Sequence, residues 1–163
     1  MNRIALGCIA AALVLVADQA SKWWIISPDG LDLLNRGRID LLPFFSFTMV
    51  WNHGVTFGML DALGAASSLI LAAVALAVVV ALFVWMRKAE NALVAGALGA
   101  IAGGAVGNVI DRLRFGAVVD FLHAHAFGYS WYVFNVADAA IVCGVGVLVL
   151  DSLRAKPHTP ASV

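Results

Sequence analysis

Four long apolar stretches constrain this chain most, because each is long enough to cross a lipid bilayer as a helix. They cover residues of about 4–26, 63–86, 93–110 and 133–150. The chain as a whole is 63% apolar and only 12% charged over 163 residues, well outside the composition of a soluble domain. We therefore expect an all-α polytopic membrane protein with four transmembrane helices, forming a single membrane-embedded domain over residues 1–163.

The orientation follows from the basic residues. Four spans place both termini on one side, and residues 27–62 and 111–132 on the other. Lys and Arg divide evenly between the two sides. Those on the terminal side, however, lie in very short segments at the span ends, where positive charge most strongly favours the cytoplasmic side. Both termini are therefore expected in the cytoplasm. Polar Asp18 and Lys22 lead directly into Trp23 and Trp24, which favours an uncleaved first span over a signal peptide.

The first of the two long connecting segments is aromatic and prone to β structure. Residues 40–51 alternate partially between apolar and polar side chains, and they are too few to span a membrane. Aromatic residues favour the membrane surface. We expect a small interfacial β-like platform here, and a loop at residues 125–130.

Two groups of polar residues lie at one end of the spans. Asp18 and Lys22 are four residues apart near the end of the first helix, a spacing that allows an ion pair. Asn108, Asp111 and Arg112 end the third helix, where Asp111 could hold Arg112 in place. Either group would also serve as a purely structural network.

Small residues mark the third helix as a packing surface. Gly99, Gly103 and Gly107 recur every four residues and allow another backbone to approach closely. Asn52 lies beside Gly54 after the strand-like segment. The side-chain amide of Asn52 can donate and accept hydrogen bonds at once, although Asn beside Gly is also typical of a turn.

Asp120 and Asp138 stand out because no Lys or Arg lies near either one in the sequence. Burial raises the pKa of a carboxylate, and a second carboxylate nearby raises one of the pair further. Two such groups can share a proton and act together as acid and base. A competing interpretation makes Asn135 the N-cap of the fourth helix and Asp138 its third residue, favoured there by the helix dipole.

Other chemistries have weaker support. Asp120, His123 and His125 do not match a known zinc spacing, so no metal or other cofactor is expected. Ser67 and Ser68 lack the sequence context of a serine nucleophile. The net charge of zero gives no reason to expect nucleic acid as a partner.

Five short motifs in this order resemble the lipoprotein signal peptidases, also called signal peptidase II. They are Asp18-Gln19-x-x-Lys22, Asn52-x-Gly54-x-x-Phe57-Gly58, Gly104-x-x-Gly107-Asn108-x-x-Asp111-Arg112, Val119-Asp120-Phe121 and Phe134-Asn135-x-Ala137-Asp138. The resemblance extends over the whole chain.

The resemblance implies an aspartyl endopeptidase of the bacterial inner membrane, with its site at the periplasmic surface. Its substrates are prolipoproteins, cut before a cysteine that already carries diacylglycerol, and membrane lipids are its other partners. A monomer is expected. The implied roles are catalytic for Asp120 and Asp138, site-lining for Asn52, Asn108, Arg112 and Asn135, and supporting for Asp18, Lys22, Asp111, Gly54, Gly104 and Gly107.

One departure from the family pattern is visible after Asn52-x-Gly54. The family often has two alanines there, and this chain has Val55-Thr56, which alters bulk and polarity near the expected site. A different class of function also fits the two aspartates. A small membrane transporter or lipid-binding protein could use Asp120 and Asp138 as proton-relay groups.

Overall fold

Four long helices and a small sheet make up the fold in a computed structural model, which describes residues 2–54 and 65–154. Within these residues, four helices are long and apolar enough to cross a membrane. In chain order the elements are α1 (Arg3–Ile26), α2 (Leu33–Arg36), β1 (Arg38–Leu42), β2 (Phe45–Asn52), α3 (Ala65–Met86), α4 (Ala92–Phe115), β3 (Val118–Ala126), β4 (Tyr129–Ser130) and α5 (Val136–Arg154). The predicted fold class, four membrane helices with a small β platform, is confirmed.

Helix α4 is the centre of the bundle and packs against α1, α3 and α5. Its most apolar stretch is 72% buried within the protein, whereas the corresponding stretches of α1, α3 and α5 are 11%, 22% and 11% buried. Glycines make this possible, because a Cβ on Gly99 or Gly103 would overlap the α1 carbonyl oxygens of Gly7 and Ala11. The glycine stripe therefore lets two backbones touch, as its four-residue spacing predicts.

The positions at which α4 ends and α5 begins determine where the polar residues lie. Hydropathy alone ends the third span near residue 110, but α4 continues to Phe115 and stops at Gly116, whose φ of 73° suits a residue without a side chain. Asp111 and Arg112 consequently lie on the helix and not in a loop. Helix α5 begins at Val136, three residues after the apolar stretch starts. Residues 63–64 of the expected second span lie outside the described residues.

The sheet has the strand order β1-β2-β3-β4, and all of its pairings are antiparallel. Asp120 on β3 lies opposite Val50 on β2, beyond a bulge in β2. Ile25 and Leu33 pack with Val119 and Phe121 in a buried cluster that fixes the sheet to the end of α1. The platform therefore does more than cover the bundle, since its third strand carries one of the two aspartates.

The expectation of a loop at residues 125–130 is wrong. Strand β3 continues through Ala126 and returns as β4 after a two-residue turn at Phe127 and Gly128. Both turn residues have positive φ, 52° and 81°, as a tight turn that matches strand twist requires. Phe rarely adopts a positive φ, so Phe127 followed by Gly128 does not by itself predict this turn.

Candidate active site

Asp120 is a buried carboxylate held by two side-chain amides. Asn52 donates from Nδ2 to Oδ2 of Asp120 at 2.8 Å, and Asn135 donates from Nδ2 to Oδ1 at 2.7 Å. Burial raises the pKa of Asp120 to about 6; the charge of Asp138 also raises it, and the two amide hydrogen bonds lower it. Asp120 is thus a carboxyl group that can hold or release a proton near neutral pH.

Asp138 lies in the first turn of α5 and is only half-buried. Its backbone N–H donates to Oδ1 of Asn135 at 2.9 Å, and its Oδ2 accepts from the backbone N–H of Asn135 at 3.3 Å. This is the reciprocal capping arrangement of a helix N-terminus. The capping interpretation of the sequence therefore holds, and it coexists with the closeness of the two carboxylates, because the capping residue itself also binds Asp120.

Asn108 of α4 connects this pair to the rest of the network. It donates from Nδ2 to Oδ1 of Asp138 at 2.8 Å, while its own Oδ1 accepts from Asn135 at 3.2 Å and from Lys22 at 3.1 Å. The amide nitrogen of Asn108 therefore acts as a donor, and its amide oxygen acts as an acceptor for two partners. The side chain has one orientation that satisfies all of these partners.

Lys22 is a buried cation shared by two buried carboxylates. Its Nζ lies 2.8 Å from Oδ2 of Asp18 and 2.7 Å from Oδ2 of Asp111. With the bond to Asn108, all three ammonium protons have an acceptor. The pair predicted from the spacing of Asp18 and Lys22 is present, and Asp111 of another helix joins it.

The carboxylates of Asp18 and Asp111 also hold the backbone on either side of the site. Oδ1 of Asp18 accepts from the N–H of Ala137 in α5 at 3.0 Å, and Oδ2 of Asp111 accepts from the N–H of Val119 in β3 at 3.1 Å. Val119 precedes Asp120, and Ala137 precedes Asp138. Each supporting carboxylate therefore fixes the backbone one residue before one of the two central aspartates.

Two predicted glycines make room for these contacts. A Cβ on Gly104 would lie 2.6 Å from the carbonyl oxygen of Ala137, so this glycine lets the first turn of α5 reach α4. A Cβ on Gly107 would overlap the carboxylate of Asp18. Both positions therefore serve the site through close approach.

Arg112 does not make the contact expected for it. Neighbouring residues on a helix point in different directions, and Asp111 turns toward Lys22 while Arg112 donates to the carbonyl oxygen of Asn108 at 3.4 Å. Its charge nonetheless interacts with Asp138, Asp120 and, least of the three, Asp111. Its buried Nε has no hydrogen-bond partner among the described residues. The guanidinium therefore lies beside the two central carboxylates and not in an ion pair with Asp111.

Gly54 closes the site beside Arg112. Its N–H donates to Oδ1 of Asn52 at 2.8 Å, and its φ is 74°. A Cβ at this position would lie 3.5 Å from Nη2 of Arg112 and 2.5 Å from the side chain of Leu71. The turn thereby aims Asn52 at Asp120. The departure at Val55-Thr56, with Phe57 and Gly58 of the same motif, lies outside the described residues.

The structure thus brings the two aspartates, the three site asparagines and the three supporting charged residues into one hydrogen-bonded network, with Arg112 at its edge. Sequence reasoning did not assign a role to Gln19. Its Nε2 lies 3.0 Å from Asp111, 3.2 Å from Asp18 and 3.2 Å from the carbonyl oxygen of Gly107. Its place beside Asp18 in the first motif was the available signal. Among residues 2–54 and 65–154, no group of three or more His, Cys, Asp or Glu is placed to hold a metal ion.

Comparison with known proteins identifies the family. The family model described as "Signal peptidase (SPase) II" matches residues 10–154. A lipoprotein signal peptidase of Methylorubrum extorquens (strain PA1) is 52% identical over 96% of this chain and 90% of its own length. Another, of Rhodopseudomonas palustris (strain ATCC BAA-98 / CGA009), is 42% identical over 99% of both chains.

A solved structure agrees with this similarity. A bacterial membrane enzyme determined by the in meso method at 2.3 Å superposes with a TM-score of 0.78, at 26% identity, over 96% of this chain and 93% of the other. The comparisons favour a peptidase over the transport alternative. This multi-pass membrane protein belongs to the signal peptidase II family, and it is an enzyme of the aspartic peptidase class.

Proposed function

We propose that this enzyme removes the signal peptide from prolipoproteins, cutting before a diacylglyceryl-modified cysteine with Asp120 and Asp138 as its catalytic pair. The observation that carries the proposal is the position of Asn135. Its Nδ2 binds Asp120, and its backbone N–H binds Asp138. One residue therefore holds both carboxylates on the same site, in one buried and one half-buried environment.

The proposed chemistry uses one proton shared by the pair. The ionised carboxylate takes a proton from a water molecule as the water oxygen bonds to the scissile carbonyl carbon. The protonated carboxyl gives its proton to the carbonyl oxygen, and a tetrahedral gem-diol forms. When the C–N bond breaks, a carboxyl group protonates the leaving amine and the second carboxylate takes a proton from the diol. The pair is returned with one proton.

The surrounding amides keep the pair in position for these steps. Asn52 and Asn135 bind the two oxygens of Asp120, and Asn108 binds Asp138, so each carboxylate is held in one orientation. Preorganised donors of this kind need no rearrangement as charge develops. We assign to Arg112, whose charge interacts with Asp138 and Asp120, the binding of a carbonyl oxygen of the substrate backbone.

The membrane setting fits a lipid-modified substrate. The network lies where α1 and α4 end and α5 begins, at the sheet end of the bundle. Acyl chains of the substrate can stay in the bilayer while its peptide bond meets the aspartates. We propose that this end faces the periplasm of a bacterial inner membrane, that both termini are cytoplasmic, and that the enzyme acts as a monomer among membrane lipids.

The deciding experiment measures cleavage of a diacylglyceryl-modified prolipoprotein by purified wild type, Asp120→Asn and Asp138→Asn in detergent. Asparagine keeps the size of aspartate and one acceptor oxygen but cannot exchange a proton. We expect cleavage by the wild type and no detectable cleavage by either folded variant.

A matched control replaces an aspartate outside the site. Asp151 accepts from Asn91 at 3.1 Å at the opposite end of the bundle, so Asp151→Asn should cleave normally. Near-normal rates from either site variant would make that residue structural and the mechanism wrong. Failure of the folded wild type, where a known signal peptidase II cuts the same substrate, would contradict the proposed substrate.

A further inference from the structure

Phe127 occupies a position that is unfavourable for it in two respects. It is the first turn residue of the β3–β4 hairpin, with φ at 52°, a conformation that side chains other than Gly, Asn and Asp rarely adopt. Its ring is also fully exposed. A strained backbone and an apolar ring in water both cost free energy, and moving the ring into an apolar environment would recover the second cost.

Phe127 belongs to an aromatic surface at the edge of the sheet. Tyr129, Trp131 and Tyr132 are largely exposed beside it, and Phe44 from the β1–β2 turn faces the same groove. The groove has a volume of about 1010 Å³, and its lining is mostly apolar. Such a continuous apolar patch marks a contact surface on a protein of this size.

The aromatic surface lies close to the membrane. Tyr132 precedes α5 by four residues, a length of chain that reaches at most about 14 Å. Trp23 and Trp24, exposed at the end of α1, mark the same end of the bundle. Trp and Tyr concentrate at the level of lipid headgroups, where one part of the ring is apolar and another is wet.

We propose that the β3–β4 hairpin dips into the lipid interface, with Phe127 as its deepest residue and Trp131 and Tyr132 at headgroup level. The occupant of the groove is therefore lipid. Polar groups at its edge agree with this depth, since Arg38 donates to Nε2 of His125 at 3.2 Å beside the groove. The hairpin fixes the height of the sheet, and with it Asp120 on β3, relative to the bilayer. This proposal does not depend on the catalytic assignment.

The test is a measurement of depth by spin labelling. Cys8 and Cys143 are replaced by Ala, and single cysteines are introduced by Phe127→Cys, Leu13→Cys and Asn35→Cys in the full chain. Leu13 lies in the middle of α1 and is exposed to lipid, and Asn35 is an exposed polar residue of α2. The labelled proteins are placed in vesicles of phosphatidylethanolamine and phosphatidylglycerol.

We expect the label at 127 to collide more with oxygen than with a water-soluble nickel chelate, as at 13, and the label at 35 to show the reverse. Equal nickel access at 127 and 35 would overturn the proposal. A label at 127 shielded from both reagents would also overturn it, because that result indicates a second copy of the chain on the hairpin.

A second variant separates depth from folding. Phe127→Asn suits a positive φ, so the hairpin should keep its shape while losing its ring. With a label introduced by Trp131→Cys, we expect Phe127→Asn to raise nickel access at 131. Unchanged access there would show that Phe127 does not anchor the hairpin.

Discussion

Asn135 and Asp120, one before α5 and one on β3, are joined by a 2.7 Å hydrogen bond from the Asn135 amide to the Asp120 carboxylate. The same asparagine caps α5 and binds Asp138. Asn135 therefore marks where the helix begins and joins both carboxylates to one hydrogen-bonded network. Asn135, which caps a helix and binds Asp120, can therefore be compared with Asn91, which caps α4 outside the site.

Asn135→Ala should lower kcat/KM for prolipoprotein by about 100-fold or more, because it removes a preorganised donor to Asp120. Asn91→Ala is the matched control, since Oδ1 of Asn91 caps α4 by accepting from Val94 at 2.8 Å. Both variants should lose about 1 kcal/mol of stability from the lost cap. Asn135→Ala should lose about 1–3 kcal/mol more, because buried Asp120 and Asn108 each lose a donor. Steady-state kinetics in detergent distinguish them, and equal activity in the two would contradict a site role for Asn135.

Lys22→Met should destabilise the protein by about 3–5 kcal/mol, because Asp18 and Asp111 are left as buried charges without their cation. Arg38→Met is the control. Its ion pair with Asp40 is equally short, at 2.7 Å, but both side chains are exposed, so it should contribute at most about 1 kcal/mol. Unfolding in detergent micelles measures both, and similar losses would show that burial of the Lys22 cluster has no energetic consequence.

Gly99→Ala should destabilise the bundle by about 1–3 kcal/mol, because its Cβ would overlap the carbonyl oxygen of Gly7 on α1. Gly96→Ala, one turn earlier on α4, meets nothing within 4 Å and should stabilise the helix by about 0.5–1 kcal/mol. The opposite signs make this pair informative. A stable Gly99→Ala protein would mean that α1 and α4 can separate without cost.

The free energy of unfolding should fall as pH rises from about 4 to 6, because of the raised pKa of Asp120. Its pKa is raised from 3.8 to about 6 in the folded protein, so over this range the folded state binds more protons than the unfolded state. The resulting loss is about 3 kcal/mol once pH exceeds 6. Because Asp120→Asn does not titrate, this variant should gain stability relative to the wild type over the same range.

Unfolding measured at several pH values in one detergent checks this expectation. The Asp40→Asn variant, changed at an exposed carboxylate, provides the comparison. A constant difference between Asp120→Asn and wild type from pH 4 to 7 would show that the Asp120 carboxyl is not perturbed by its surroundings.

The sequence alone determined the membrane architecture and the chemical types of the site residues. Long apolar stretches must cross the bilayer as helices, and the few polar residues beside them can be read one by one, because each is costly there. The spacing of Asp18 and Lys22 predicted their pair within a single helix. Local rules of this kind need no knowledge of the rest of the fold.

The tertiary structure alone decided which distant groups meet. The hydrogen bond from Ala137 to Asp18 joins residues 119 positions apart. Asp111 pairs with Lys22, and not with Arg112 as its spacing predicts, because α1 packs against α4. Strand β3 and the turn at Phe127 were missed for the same reason, since strand pairing and a strained turn are fixed by partners far away in the chain. The sequence pattern predicts whether a residue lies in a membrane helix or at its end. Which distant residue it contacts is decided by how the helices and strands pack.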